Sequence, residues 1–198
     1  MIVELVGLNG TGKSSVFTRL LDSNKCLNYH EVVKISWFNY AGFIIRNIIS
    51  IIDLIIRRKK IRFIRIYVNF FGSLLFLEKH LYNMNNYILA DQGLVFQLAV
   101  LSEEGLILNK DVRRLSRRLN AIVTKVVYFN ADVAVLYQRV KNRDKSDGRG
   151  QFMTEGEFHS FCMSYTQRFD TILQQLVLVK KVNANGSIED MLHQIENI

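Results

Sequence analysis

The chain has 198 residues, about half of them apolar, with a net charge of +8 and an isoelectric point near 9.6. That composition suits one folded domain with a sizeable core and excludes a disordered chain. The basic balance favours anionic partners: nucleotides, nucleic acid, phosphorylated glycans or an acidic membrane surface.

Cys26 and Cys162 are the only cysteines, are far apart and fit no metal spacing, so free thiols in a reducing compartment are expected rather than a disulfide framework. The opening residues lack a basic stretch followed by a long apolar one, which points to a cytoplasmic protein. Proline is absent, and no repeat, linker or composition shift divides the chain, so residues 1–198 read as a single domain.

The first element is an apolar β-like run, Ile2 to Val6, that feeds a glycine-rich loop ending in Lys13-Ser14-Ser15. Gly7, Gly12, Lys13 and Ser14 complete G-x-x-x-x-G-K-[ST], with Gly10 as a further glycine. Glycines let backbone N–H groups turn inward, and a helix starting near Lys13 aims its positive dipole end at the same point. Residues Asn9, Gly10, Thr11, Gly12, Lys13, Ser14 and Ser15 are therefore the expected phosphate cradle. Lys13 would bridge the β- and γ-phosphates, and the Ser14 hydroxyl would hold Mg²⁺.

Tyr29 to Ser36 reads as a second strand. Between Phe38 and Asn83 the chain is strongly apolar yet carries Arg57, Arg58, Lys59, Lys60, Arg62 and Arg65 in one cluster. Narrow polar stripes predict two helices there, the first through Arg46, Ser50, Asp53 and Arg57, the second through Arg65, Asn69 and Ser73 against Ile66, Phe70, Phe71, Leu74 and Leu75. Arg46, Asn47 and Asp53 interrupt the first at mid-length, which excludes a transmembrane span. Two readings of this hairpin stay open. Both helices pack on the core with a solvated basic tip, or the Arg57–Arg65 cluster lies on an anionic membrane or takes a lipid-like substrate.

Asn86 to Asp91 is a short apolar run ending in an acid, the Walker B form, which assigns Asp91 to Mg²⁺ support beside Ser14. A helix begins at Gly93. From Asp111 to Ala121, Arg113, Arg114, Arg117 and Arg118 oppose Val112, Leu115 and Leu119. With no aromatic residue interleaved as a base-stacking platform, the arginines read as a solvated face, and nucleic acid is not expected as a partner. Ile122 to Phe129 is a further strand and Asp132 to Asn142 a helix carrying Leu136-x-x-Arg139-x-x-x-Arg143. The charged, glycine-bearing stretch after it makes residues 139–153 a lid, with Arg139, Arg143 and Arg149 able to reach phosphate oxygens. Gly156 to Gln175 reads as a helix, Leu176 to Val182 as the last strand and Ile188 to Glu196 as a closing helix. Strands alternating with helices imply an α/β fold built on a parallel sheet covered on both faces. No histidine among His30, His80, His159 and His193 sits at metal-ligand spacing.

These motifs resemble the thymidylate kinase branch of the P-loop nucleoside monophosphate kinases. GLNGTGKSS is similar to that family's G-x-D-G-x-G-K-[ST]-[ST], Asp91-Gln92-Gly93 stands at its Asp-Arg motif, and Leu136, Arg139 and Arg143 match its lid entrance. Val182-Asn183-Ala184-Asn185 followed by Ser187-Ile-Glu-Asp resembles the terminal strand and loop that pass the adenine. The resemblance implies a five-stranded parallel sheet and phosphoryl transfer from ATP with Mg²⁺, with Lys13, Asp91, Arg139, Arg143 and Arg149 as catalytic residues. It also departs from the pattern. Asn9 replaces the loop aspartate, Gln92 replaces the arginine that grips the acceptor phosphate, and Lys34-Ile-Ser-Trp-Phe-Asn39 stands where the family has Arg-Glu-Pro-Gly-Gly. An amide cannot replace a guanidinium's charge pairing to phosphate.

The expected function is thus an ATP-dependent kinase with a rebuilt acceptor half. Residues 37–83 would bind the acceptor, with Lys34, Trp37, Arg46 and Gln92 as contacts. A nucleoside monophosphate, a sugar and a lipid-linked glycan all stay open as acceptors, as does a homodimer. The alternative is an ATP-binding regulatory or membrane-surface module. A GTP switch is disfavoured because no Asn-Lys-x-Asp is complete.

Overall fold

The computed structural model describes residues 1–23, 26–33, 45, 52, 63–81, 86–142 and 152–196. Most of the 37–83 hairpin, including Trp37, Arg46 and the cluster from Arg57 to Arg62, lies outside them, as do Lys34, Arg143 and Arg149.

The elements follow in the order β1 (Ile2–Gly7), α1 (Lys13–Ser23), β2 (Leu27–Asn28), α2 (Tyr29–Val32), α3 (Ile64–His80), β3 (Ile88–Asp91) and α4 (Leu94–Glu103). After them come α5 (Asn109–Ile122), β4 (Val123–Asn130), α6 (Val133–Lys141), α7 (Glu155–Leu173), β5 (Val179–Asn183) and α8 (Ile188–Glu196). The strands form one five-stranded parallel sheet in the order β2-β3-β1-β4-β5. The expected α/β architecture is present. β1 sits in the middle because its residues are buried on both faces, the signature of a parallel strand covered by helices.

Alternation along the strands sorts the core into two layers. Ile2, Val6, Ile88, Ala90, Val126 and Tyr128 face α3, α4, α5 and α7. Leu5, Leu89, Val127, Phe129 and Val182 face α1 and α8 through Val16 and Met191. A smaller cluster of Leu8, Leu136, Val140, Phe158 and Cys162 seats α6 and α7 beside the first loop. Cys26 and Cys162 are free thiols, and burial pushes that of Cys162 up to about 11.

Two elements differ from the sequence-based expectation. The second strand is not Tyr29–Ser36. Its two residues, Leu27 and Asn28, pair with Ile88 and Leu89, and the Asn28 side chain then accepts the His30 N–H at 3.0 Å and caps a one-turn helix. Local capping ends the strand before its apolar residues begin. In α3, Ser73 is buried and Leu75 is 48% exposed, the reverse of the predicted stripe, because the helix packs on α4 and α5 as well as on the sheet. No helix among the described residues is long and apolar enough to cross a membrane.

Candidate active site at the first loop

The loop between β1 and α1 turns through Gly10 at φ +88° and Gly12 at φ +82°, conformations open to glycine at little cost. Helix α1 starts at once: the Ser15 and Val16 N–H groups both donate to the Gly12 carbonyl at 3.1 Å. Lys13 is 5% exposed, and its Nζ curls back to donate to the Leu8 carbonyl at 2.8 Å and to Thr11 Oγ1 at 3.3 Å. Thr11 Oγ1 donates to the same carbonyl at 2.8 Å, so Thr11 lies under the loop as a brace. The loop thus places a buried ammonium among its own oxygen acceptors at the start of α1.

Asn9, Gly10, Gly12, Lys13, Ser14, Ser15, Gln92 and Arg139 line a cavity of about 190 Å³ over this loop. Ser14 Oγ donates to Asp91 Oδ2 at 3.0 Å, which brings the two predicted metal residues together across 77 positions of sequence. Asp91 Oδ1 is buried without a hydrogen-bond partner. A buried carboxylate oxygen left unmatched beside a hydroxyl fits a hard divalent cation. Mg²⁺ in such sites takes one or two carboxylates plus substrate phosphates, so a larger acidic cluster is not required.

The corner that carries Asp91 is itself pinned. Gln92 has φ +59°, an uncommon conformation for a residue with a side chain. Behind it, Glu4 of β1 is fully buried, and its carboxylate accepts the Val95 and Phe96 N–H groups at 2.9 Å each, at the start of α4. Burial pushes the Glu4 carboxyl up to about 7, against the downward pull of the backbone N–H groups of residues 93 to 96. Gly93 has to be glycine: a Cβ there would lie 2.9 Å from Ala90 Cβ and 3.0 Å from Glu4 Oε2. The sequence reading missed Glu4. Its one signal was a lone acid inside an otherwise apolar strand.

Arg139, expected to reach phosphate oxygens, is held here by backbone carbonyls. It lines the cavity, but Nη1 donates to the Ala184 carbonyl at 2.6 Å and Nη2 to the carbonyls of Asn185 and Gly186 at 3.0 and 2.9 Å. Three donors spent on backbone make it a clasp for the loop after β5. Asn185 tightens the same loop, donating to Asp132 Oδ2 at 3.0 Å while its Oδ1 accepts the Asp132 N–H at 2.8 Å.

With β2 ending at Asn28, the turn that follows it brings His30 to the Asp91 corner, while the Lys34–Asn39 segment lies outside the described residues. His30 Nε2 lies 3.3 Å from the Asp91 carbonyl oxygen. Nothing in its spacing marked His30, because the contact depends on where β2 stops.

No family model matches the chain, and no curated protein matches it in sequence. Solved structures do match in shape over its whole length. A deoxyadenosine kinase from M. mycoides with bound dATP aligns at 14% identity with a TM-score of 0.55, covering 100% of this chain and 98% of that one. Shikimate kinase from Bacteroides thetaiotaomicron aligns at 13% identity and TM-score 0.55, covering 100% and 97%. The YorR protein of Bacillus subtilis, in complex with phosphorylated GDP, aligns at 14% identity and TM-score 0.55, covering 100% and 94%. At such identities the likeness is one of architecture, and the chain has the fold of the P-loop kinases.

Proposed function

We propose that this protein is an ATP- and Mg²⁺-dependent kinase that transfers the γ-phosphoryl group to a small-molecule acceptor. The Ser14–Asp91 pair with its orphaned Asp91 Oδ1, under a loop that already holds a buried lysine, is the observation that carries the reading. The loop N–H groups and the N-terminus of α1 take the phosphates. On nucleotide entry Lys13 exchanges the Leu8 carbonyl and Thr11 hydroxyl for β- and γ-phosphate oxygens, charge-assisted bonds in place of neutral ones. Mg²⁺, held by Ser14 and Asp91, supplies positive charge where negative charge gathers on the phosphates. Arg139 keeps the loop of residues 183–187 beside the cavity as a wall for the base, and Arg143 and Arg149 complete the lid.

The acceptor side supports a reading away from thymidine monophosphate. Gln92 brings an amide, not a cation, to the corner where a phosphate acceptor needs charge, and His30 reaches the neighbouring Asp91 carbonyl. The fold neighbours carry the names of acceptors as unlike as deoxyadenosine and shikimate, so the acceptor comes from the residues: a nucleoside monophosphate, a sugar or a lipid-linked glycan, met by Lys34, Trp37 and Arg46. A cytoplasmic site of action goes with this reading.

The test is Lys13→Ala with γ-labelled ATP and a panel of nucleosides, nucleoside monophosphates, sugars and lipid extracts. Transfer falls by at least about a hundredfold, on the scale of losing one preorganised charge at the transferred group, while circular dichroism shows the fold kept. Undiminished ATP turnover in that variant refutes the kinase.

A further inference from the structure

Among the described residues, helix α5 gathers four cations on one exposed face. Lys110, Arg113, Arg114 and Arg117 are all exposed and lie at spacings of three and four, so they form one stripe. They line an open concavity of about 570 Å³ in which no other described residue takes part. Four like-charged pairs at i, i+3 and i, i+4 follow from that spacing, and each weakens the helix. No ion pair joins them to a carboxylate among the described residues, and the helix's one acid, Asp111 in the first turn, makes none with Arg114 three positions on.

Three other described arginines are paired with carboxylates, and Arg139 is held by backbone carbonyls. Arg118 on the same helix makes a fork to Glu78 at 2.7 and 2.6 Å, Arg19 pairs with Glu189, and Arg168 pairs with Glu103. A sequence that accepts local repulsion along one face, while it pairs Arg118 of the same helix with Glu78, keeps that face for an external polyanion.

The ends of the stripe choose among polyanions. Leu108, just before it, is 53% exposed. At the other end, Val177 and Leu178 are 78% and 56% exposed, in a turn tied to the helix by Asn120, whose side chain accepts the Val177 N–H at 3.1 Å and donates to the Gln175 carbonyl at 3.0 Å. Cations flanked by exposed aliphatic side chains match the boundary of an anionic bilayer, where charge meets headgroups and apolar tips enter the acyl margin. A nucleic acid offers nothing to the aliphatic tips, and the stripe has no aromatic residue for its bases.

We propose that the α5 face, with Leu108, Val177 and Leu178 at its ends, is a docking surface for an anionic phospholipid membrane. It is independent of the phosphoryl-transfer chemistry. Each cation near an anionic leaflet is worth about a fivefold gain in partitioning, so the four together give roughly several hundredfold.

Sedimentation with vesicles of phosphatidylcholine alone and with added phosphatidylserine tests this on the full chain. Binding to the anionic vesicles, little to the neutral ones, and loss in the triple variant Arg113→Ser, Arg114→Ser, Arg117→Ser are expected. The variant Leu108→Ser, Val177→Ser, Leu178→Ser should weaken binding about tenfold or more. All six positions are exposed, and unchanged ATP affinity and circular dichroism show that both variants fold. Equal binding to neutral and anionic vesicles, or full binding by the arginine variant, overturns the proposal. So does a duplex oligonucleotide that binds through the arginines while the apolar variant keeps its full vesicle affinity, which would make the stripe a nucleic-acid surface.

Discussion

Replacing Glu4 by Gln separates the charge of the buried carboxyl from its shape. In the native fold the group is fully buried and its carboxyl is raised from the usual 4.5 to about 7. The folded state therefore binds this proton more tightly than the unfolded chain, and its stabilising share is complete below about pH 4.5, falls as pH rises and is gone above about pH 7. At about 1.4 kcal/mol per pH unit, the shift amounts to about 3 kcal/mol across that window. Glutamine removes the titration but leaves one of the two α4 N–H groups facing an amide donor, an offset of about 1 to 3 kcal/mol at acid pH. Urea unfolding followed by circular dichroism at several pH values between 4.5 and 7.5 measures both proteins. The stability of the native protein relative to the variant should fall by about 3 kcal/mol from the acid to the neutral end, enough to cancel or reverse the acid-pH offset. Exposed carboxylates such as Glu157 and Asp190 titrate alike in the two and cancel. A difference that stays constant with pH refutes the reasoning and leaves Glu4 a simple helix cap.

Arg139→Lys keeps the charge but loses the fork that holds three carbonyls at once, so ATP affinity should fall about tenfold with little change in thermal stability; calorimetric titration reads it. An unchanged dissociation constant would mean that the 184–186 loop holds itself. Thymidine monophosphate should be a poor acceptor because Gln92 cannot pair with its phosphate, and efficient formation of the diphosphate by the unmodified protein would show that other groups supply the charge.

What could be read in advance depended on how local its cause was. The first loop, the start of α1 and the Asp91 terminus are each written in a few adjacent residues, and the parallel sheet follows from apolar runs alternating with helices. The end of β2 was not legible because Asn28 caps a helix turn that competes with the strand-forming Val32 and Val33. Ser73 and Leu75 exchanged environments because α3 packs on two other helices, a contact no single-helix periodicity encodes. Arg139 lines the cavity as expected, but its backbone partners were not legible: the carbonyls it clasps lie 45 to 47 residues away, brought close by β4 and β5.

The place of β1 in the sheet also sets a schedule for the growing chain. Its partners are β3, in the register Ile2 to Ile88, and β4, in the register Gly7 to Phe129, so the first strand synthesised waits for residues far downstream on both edges. At ribosomal rates of about 5–20 residues per second, the wait for β4 is roughly 6 to 25 s. Until β3 emerges Leu5 and Val6 have no strand to pair beside, and Glu4 has no α4 to grip until Val95 and Phe96 have followed it. Before then the nascent protein is a long-range, slow-pairing chain, and its early apolar strand is the segment a holding chaperone would find first.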